Sequence, residues 1–271
     1  MSAQLAWDGV SHPSALFDVS GRSALVVGAT GAFGQMAARA LAAGGARLTL
    51  TGANREKLEE LAKSLRSRGA AVEVVARRPE SDDDAGAMVS AAAKAYGRLD
   101  ILVVASGLNK VAPTVEQPVE DWDAVMSANV KGPWLACRAA GRQFLRQGGG
   151  GKIVLLSSTR GRLGHPAGYA AYCPSKAAVD LLAKTLATEW GPQGINVNAI
   201  APTVFRSDLT AWMYAEEGPG AVTRQAMLSR IPLGRLAEPE DFAGALLYLV
   251  SRASDFCTGQ VLYVDGGYTA G

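Results

Sequence analysis

Histidine and cysteine are scarce in this chain, with two and three among 271 residues. Cys137, Cys173 and Cys257 are odd in number and far apart, which excludes a disulfide framework and any paired redox or zinc spacing. His12 and His165 are isolated as well, so no metal site is expected. A charge excess is also missing. The 27 Lys and Arg against 25 Asp and Glu leave a formal +2, with no electrostatic reason to expect nucleic acid or anionic lipid as a partner. No apolar run reaches the ~18 residues of a membrane span. The N-terminal segment has no basic start followed by an apolar stretch, so no signal peptide is expected and the cytoplasm is the expected location. There is no Gly-x-Ser-x-Gly elbow, which argues against a serine hydrolase.

Glycine, in contrast, is abundant. The 31 glycines follow no collagen-like period, so their positions matter more than their number. Apolar residues at 48% and charged residues at 19% supply a sizeable core without the composition of disorder. Apolar strands are predicted at 22–27, 47–51, 71–76, 100–105, 152–156, 195–200 and 260–264. Helical patterns are predicted between them, at 33–43, 54–68, 82–96, 120–147, 172–190 and 240–251. Strands apolar on both faces, alternating with helices, imply an α/β fold: a Rossmann-like, doubly wound parallel sheet of about seven strands with helices on both faces. Alternation continues without a linker, so 21–271 reads as a single domain behind an N-terminal arm, 1–20. Ligands in such sheets lie beyond the carboxyl ends of the strands.

The first loop there is Gly28-Ala29-Thr30-Gly31-Ala32-Phe33-Gly34, between the first strand and the first helix. Its backbone N–H groups and the helix dipole can hold a pyrophosphate, and glycine admits the close approach. The G-x-x-G-x-x-G spacing departs from G-x-G-x-x-G, and a tight structural turn is the plainer reading of the loop alone. Gly148 to Gly151 before Lys152 looks like a Walker loop but lacks its first Gly and its Ser/Thr, and reads as a turn.

Tyr172-Cys173-Pro174-Ser175-Lys176 places a phenol and an ammonium on one helix face. A neighbouring cation favours the phenolate, so such a Tyr can exchange a proton with an alcohol or carbonyl oxygen. Upstream, Gly151-Lys152-Ile153-Val154-Leu155-Leu156-Ser157-Ser158 is a strand ending in hydroxyls. Together with Ile195-Asn196-Val197-Asn198-Ala199-Ile200-Ala201-Pro202, these motifs resemble the short-chain dehydrogenase/reductase family in its single-domain branch. The resemblance runs over nearly the whole chain, from the glycine turn to Val264-Asp265-Gly266-Gly267.

The resemblance implies a catalytic set of Tyr172 as general acid/base, Lys176 as ribose ligand, Ser158 (rather than Ser157) on the substrate oxygen, and Asn129 supporting a water relay to the lysine. It implies cofactor contacts at Gly28, Thr30, Gly31, Phe33, Gly34, Asn54, Arg55, Ala105, Ser106, Gly107, Tyr172, Lys176, Pro202 and Val204. Val104-Ala105-Ser106-Gly107 stands where the family has Asn-Asn-Ala-Gly. Thr51-Gly52-Ala53-Asn54 carries no acid for a ribose diol, and Arg55, Arg77 and Arg78 lie nearby, so NADP(H) is favoured over NAD(H). A substrate lid is expected at about 205–230, with Leu209, Trp212, Met213, Tyr214 and Met227. Substrate contacts are expected at Ser158, His165 and Trp212, with Arg160, Arg162 and Arg206 flanking the site. The expected activity is reversible hydride transfer between a nicotinamide and a small-molecule secondary alcohol or ketone. A non-catalytic dinucleotide-binding sensor and an NAD-dependent epimerase remain as alternatives. A homotetramer is implied by the resemblance alone.

Overall fold

The computed structural model describes residues 12–208 and 210–271. The start of the arm and Leu209 of the expected lid lie outside the described residues. Among the described residues, seven strands run β1 Ser23–Val27, β2 Arg47–Thr51, β3 Val72–Val75, β4 Ile101–Val104, β5 Gly151–Leu156, β6 Ile195–Pro202 and β7 Val261–Val264. Eight α-helices run α1 Ala32–Ala43, α2 Arg55–Arg66, α3 Asp82–Tyr96, α4 Val119–Met126, α5 Gly132–Gln147, α6 Tyr172–Trp190, α7 Pro219–Leu228 and α8 Ala243–Val250. The strands form one sheet in the order β3-β2-β1-β4-β5-β6-β7, and every pairing is parallel.

The apolar strands explain why helices cover both faces. Successive side chains of a strand point to opposite faces, so each strand feeds two cores. Ala24 and Val26 of β1 join Ile101 and Val103 of β4 under α1, α2 and α8. Leu25 and Val27 join Leu102 and Val104 under α3, α5 and α6. Each fully buried side chain of this size contributes roughly 1.5–3 kcal/mol. Helix starts follow local chemistry. Asn54 Oδ1 accepts from Lys57 N at 2.9 Å at the start of α2, and Ser81 Oγ accepts from Asp84 N at 3.1 Å ahead of α3, the N-cap arrangement.

Three segments differ from the sequence expectation. The helical stretch predicted at 120–147 is two α-helices joined by a π-helical turn, Ser127–Lys131. The last helix opens with a 3₁₀ turn, Pro239–Phe242, because Pro239 cannot continue a helix backward. Helix α7 was not predicted, since Pro219 and Gly220 mask any periodicity. It belongs to a third apolar cluster of Met213, Met227, Ile231, Leu236 and Tyr268. The Gly148-Gly149-Gly150 run is a turn with all three residues at positive φ. It leads into Lys152 at the amino end of β5, buried with its Nζ 2.8 Å from Asp255 Oδ1.

Candidate active site

The chain leaves β1 toward β2 and leaves β4 toward β5, in opposite directions across the sheet. A crevice opens at the carboxyl ends of strands where the order reverses in this way. Gly28 follows β1 and Ala105-Ser106-Gly107 follows β4, and the two loops touch. Gly28 has φ +78°, and a Cβ there would stand 2.7 Å from Ser106 N. A Cβ on Gly34 would collide with Gly28 O and stand 2.8 Å from Ala29 Cα. Both glycines are therefore required by the backbone, whatever binds above it. The first bond of α1 runs from Gln35 N to Gly31 O, so the N–H groups of Ala32, Phe33 and Gly34 have no intrahelical acceptor. Ser106 Oγ is buried without a hydrogen-bond partner among the described residues. Free N–H donors at a helix start and an orphaned hydroxyl in a crevice of this kind fit a dinucleotide phosphate.

Deeper along the same crevice, the expected catalytic side chains converge. Ser158 lies just past β5, and Arg160 N–H donates to its Oγ at 3.1 Å, so its own proton is free to be donated outward. Tyr172 opens α6 and Lys176 is one turn on, with Lys176 Nζ 5.6 Å from the Tyr172 ring centre. Lys176 is 2% exposed and donates to Leu156 O at 2.8 Å. A side-chain carbon placed on Gly107 would stand 3.5 Å from both Lys176 Nζ and Asn129 Oδ1. Asn129 is fully buried in the π turn, a feature frequent at functional sites. Its Oδ1 accepts from Leu108 N at 2.6 Å, and its Nδ2 donates to Leu108 O at 2.8 Å and to Ser175 Oγ at 2.9 Å. Ser175 Oγ in turn donates to Tyr172 O at 2.7 Å. The amide thus ties the loop after β4 to the first turn of α6.

Burial dominates the electrostatics. It pushes the Tyr172 phenol up to about 12, with the Ser158 hydroxyl pulling in the opposite direction. Burial also lowers Lys176 to about 8, partly offset by the Asp180 carboxylate one turn along. The ammonium is directed to Leu156 O, and desolvation of the phenol outweighs the attraction of the cations around it.

A family model described as enoyl-(acyl carrier protein) reductase matches residues 28–269. An uncharacterized oxidoreductase of Mycobacterium tuberculosis is 62% identical over 256 residues, 94% of either chain. A short-chain type dehydrogenase/reductase from Mycobacterium marinum, in its crystal structure, has a TM-score of 0.88 at 33% identity over 94% of this chain and 98% of that one. This chain is a short-chain dehydrogenase/reductase. The crystal structure of a gluconate 5-dehydrogenase from Burkholderia cenocepacia, in complex with NADP and tartrate, has a TM-score of 0.89 at 31% identity, covering 96% of this chain and 100% of that one. As a member of the family, the protein is an NAD(P)-dependent oxidoreductase that interconverts alcohols and ketones. Nothing in these comparisons supports the sensor or epimerase alternatives.

Within this dehydrogenase/reductase, the remaining expected contacts divide. Thr30 reaches the end of β2, its Oγ1 3.6 Å from where a Cβ on Gly52 would stand. Asn54 spends its Oδ1 on the α2 cap, and Arg55 is the first residue of that helix. Phe33 turns its ring into the core against Phe242, 5.8 Å between centres, so only its backbone N–H is available to a ligand. Pro202 ends β6, and Val204 follows it in a backbone link to Ala237. Arg77 is paired with Asp84 at 2.6 Å and Arg206 with Glu238 at 3.0 Å, which removes both from the free cations. In the lid, Met213 and Met227 are buried, whereas Trp212 is 54% exposed. His165 stacks on Tyr169 at 4.3 Å, and Tyr169 meets Tyr172 edge-on at 5.9 Å. Sequence reasoning missed Ser175 and Asp180, though both lie on the helix that starts at Tyr172. It also missed Tyr268, which has no local signal.

Among the described residues no helix is long and apolar enough to cross a membrane, and no three His, Cys, Asp or Glu side chains cluster as metal ligands.

Proposed function

We propose that Tyr172 is the proton donor and acceptor in a reversible alcohol–ketone interconversion. Ser158 holds the substrate oxygen, Lys176 orients the cofactor ribose, and Asn129 fixes the loop beneath it. The observation that carries this reading is the meeting of Asn129, Lys176 and Gly107 beside Tyr172 and Ser158 at one end of the switch-point crevice. A nicotinamide dinucleotide held at the glycine turn, Ser106 and Lys176 would supply or accept the hydride at the substrate carbon. The protein's own groups handle the oxygen. Ser158 is held by Arg160 N–H, so its proton is directed to the substrate oxygen and polarises it. In reduction, the protonated Tyr172 phenol gives its proton to the developing alkoxide. In oxidation, the phenolate takes the hydroxyl proton. Lys176 uses one donor on Leu156 O, which leaves the others for ribose hydroxyls. The segment 205–230 covers the substrate and excludes water.

The cofactor reading is NADP(H) in preference to NAD(H). No acid ends β2, and Arg55 has no ion pair among the described residues. The B. cenocepacia relative holds NADP, which supports a nicotinamide dinucleotide here; the preference for NADP(H) rests on the β2 end and Arg55 alone.

One experiment tests the mechanism and the cofactor together. Tyr172→Phe should lose turnover by about a hundredfold to ten-thousandfold, the range one acid/base group supplies. Thermal shifts with NADP(H) should remain and exceed those with NAD(H). Retained turnover sinks the role of Tyr172, and equal shifts remove the 2′-phosphate argument.

A further inference from the structure

Two guanidinium groups share one tyrosine ring beside the site, neither of them in an ion pair among the described residues. Arg160 follows Ser158 by two residues, and its side chain donates to Tyr268 Oη at 3.0 Å and to Gly164 O at 3.0 Å. Its guanidinium carbon is 5.5 Å from the centre of the Tyr268 ring, and that of Arg230 is 4.4 Å from the same centre. One buried ring therefore draws an arginine from the loop after the catalytic serine toward an arginine from the end of the lid. Neither arginine has a carboxylate within ion-pair distance among the described residues. Two cations held together repel each other, and an anion between them removes that cost.

His165 completes the arrangement. Its Nδ1 accepts from Ala167 N–H at 3.1 Å, so a neutral ring carries its proton on Nε2 and presents a donor. Burial first, and then Arg160 and Arg230, lower its pKa and keep it neutral. The His165 ring lies on Tyr169, whose ring meets that of Tyr172 edge-on, which joins this positive region to the reacting oxygen.

We propose that the substrate carries an oxyanion, a carboxylate or a phosphate, received by Arg160 and Arg230 with His165 as a neutral donor. The proposal rests on the catalytic reading of Tyr172 and Ser158 given above. A small hydroxy acid or sugar phosphate is favoured over a carrier-bound acyl group, because Arg160 is half-buried two residues from Ser158, so an anion that reaches both it and the exposed Arg230 lies close to the reacting carbon. Arginine suits this task, since its planar donor fork matches carboxylate and phosphate oxygens. Tyr268 acts as a positioning residue by setting both arginines.

The first measurement needs no turnover. With NADP(H) bound, malonate and inorganic phosphate are added separately and the melting temperature is compared with that in sodium chloride of equal ionic strength. A rise with either anion is expected, and which anion raises it more distinguishes carboxylate from phosphate. The rise should disappear in Arg230→Gln and persist in Arg252→Gln, an exposed arginine beyond α8. No rise above the chloride control overturns the proposal, as does a rise that survives in Arg230→Gln.

The second measurement is kcat/KM for a hydroxy acid, a sugar phosphate, the matched neutral polyol and an acyl thioester on its carrier protein. An anionic small molecule should exceed its neutral match at least tenfold, and Arg230→Gln should reduce that ratio at least tenfold. A preference for the neutral polyol or the carrier thioester overturns the proposal while leaving the oxidoreductase reading intact. Retained turnover in Tyr172→Phe overturns the catalytic reading itself, so the two failures are distinguishable.

Discussion

Replacing Asn129 by Asp changes one buried atom and should convert a pH-independent clamp into a pH-dependent one. The amide uses both ends, with Oδ1 accepting from Leu108 N–H and Nδ2 donating to Leu108 O and Ser175 Oγ. In Asn129→Asp the second oxygen faces the Leu108 carbonyl, at the 2.8 Å that now separates donor from acceptor. Ser175 cannot rescue it without giving up its own bond to Tyr172 O. Only a protonated carboxyl can donate there, so the introduced group binds its proton more tightly when folded than when unfolded. The sign follows from linkage. The variant lies close to the wild type below the unfolded pKa of ~3.9 and loses stability as pH rises, by about 1.4 kcal/mol per unit until the folded pKa is passed. One donor bond is lost even when the carboxyl is protonated, at about 1 kcal/mol. A folded value two or three units up makes the deficit at neutral pH about 4–5 kcal/mol. Urea unfolding of both proteins between about pH 5 and 8 reads this as a widening gap. A gap that stays constant with pH, or a variant as stable as the wild type at pH 8, refutes the assignment of the amide nitrogen to Leu108 and Ser175.

Two other substitutions test neighbouring parts of the argument. Lys176 is held near 8 by burial, while an unfolded lysine keeps its proton to ~10.4, so the unfolded chain binds more protons between these values and stability rises with pH there. Lys176→Met should remove that rise, changing the stability difference between the two proteins by roughly 3 kcal/mol over the window; parallel stability–pH curves would refute the buried-cation reading. Gly28→Ala forces a methyl to 2.7 Å from Ser106 N at φ +78° and should cost about 2–4 kcal/mol, from left-handed strain plus overpacking. Gly31→Ala, whose methyl meets nothing closer than 3.6 Å, should cost much less. Equal melting temperatures for these two variants would remove the close approach of the β1 and β4 loops from the account.

The layered fold was readable because its causes are local. Strands such as Ser23–Val27 are buried at every position and apolar at every position after Ser23, so the pattern implied cover on both faces before any contact was known. The Asn54 cap marked the start of α2 in the same way. Helix α7 was hidden because a proline and two glycines at its start obscure a helix held in place by Met227 and its tertiary neighbours. The π turn at Asn129 was hidden too. One extra residue in a helical turn changes no composition, and it is stabilised by bonds to Leu108 and Ser175 from elsewhere in the chain.

By itself, the sequence determined that glycines 28 and 34 stand in a strand-to-helix turn, that Tyr172 and Lys176 share a helix face, and that Ser158 ends a strand. Those relations span a few residues and follow from the geometry of one element. Tertiary structure alone decided where the polar groups point. Lys176 turns to Leu156, Asn129 clamps Leu108, Arg77 and Arg206 are neutralised by Asp84 and Glu238, and Arg160 and Arg230 come to share Tyr268. Each is a choice among partners distant in sequence, made by which groups burial brings together and leaves unpaired, and a linear chain carries no local mark of it.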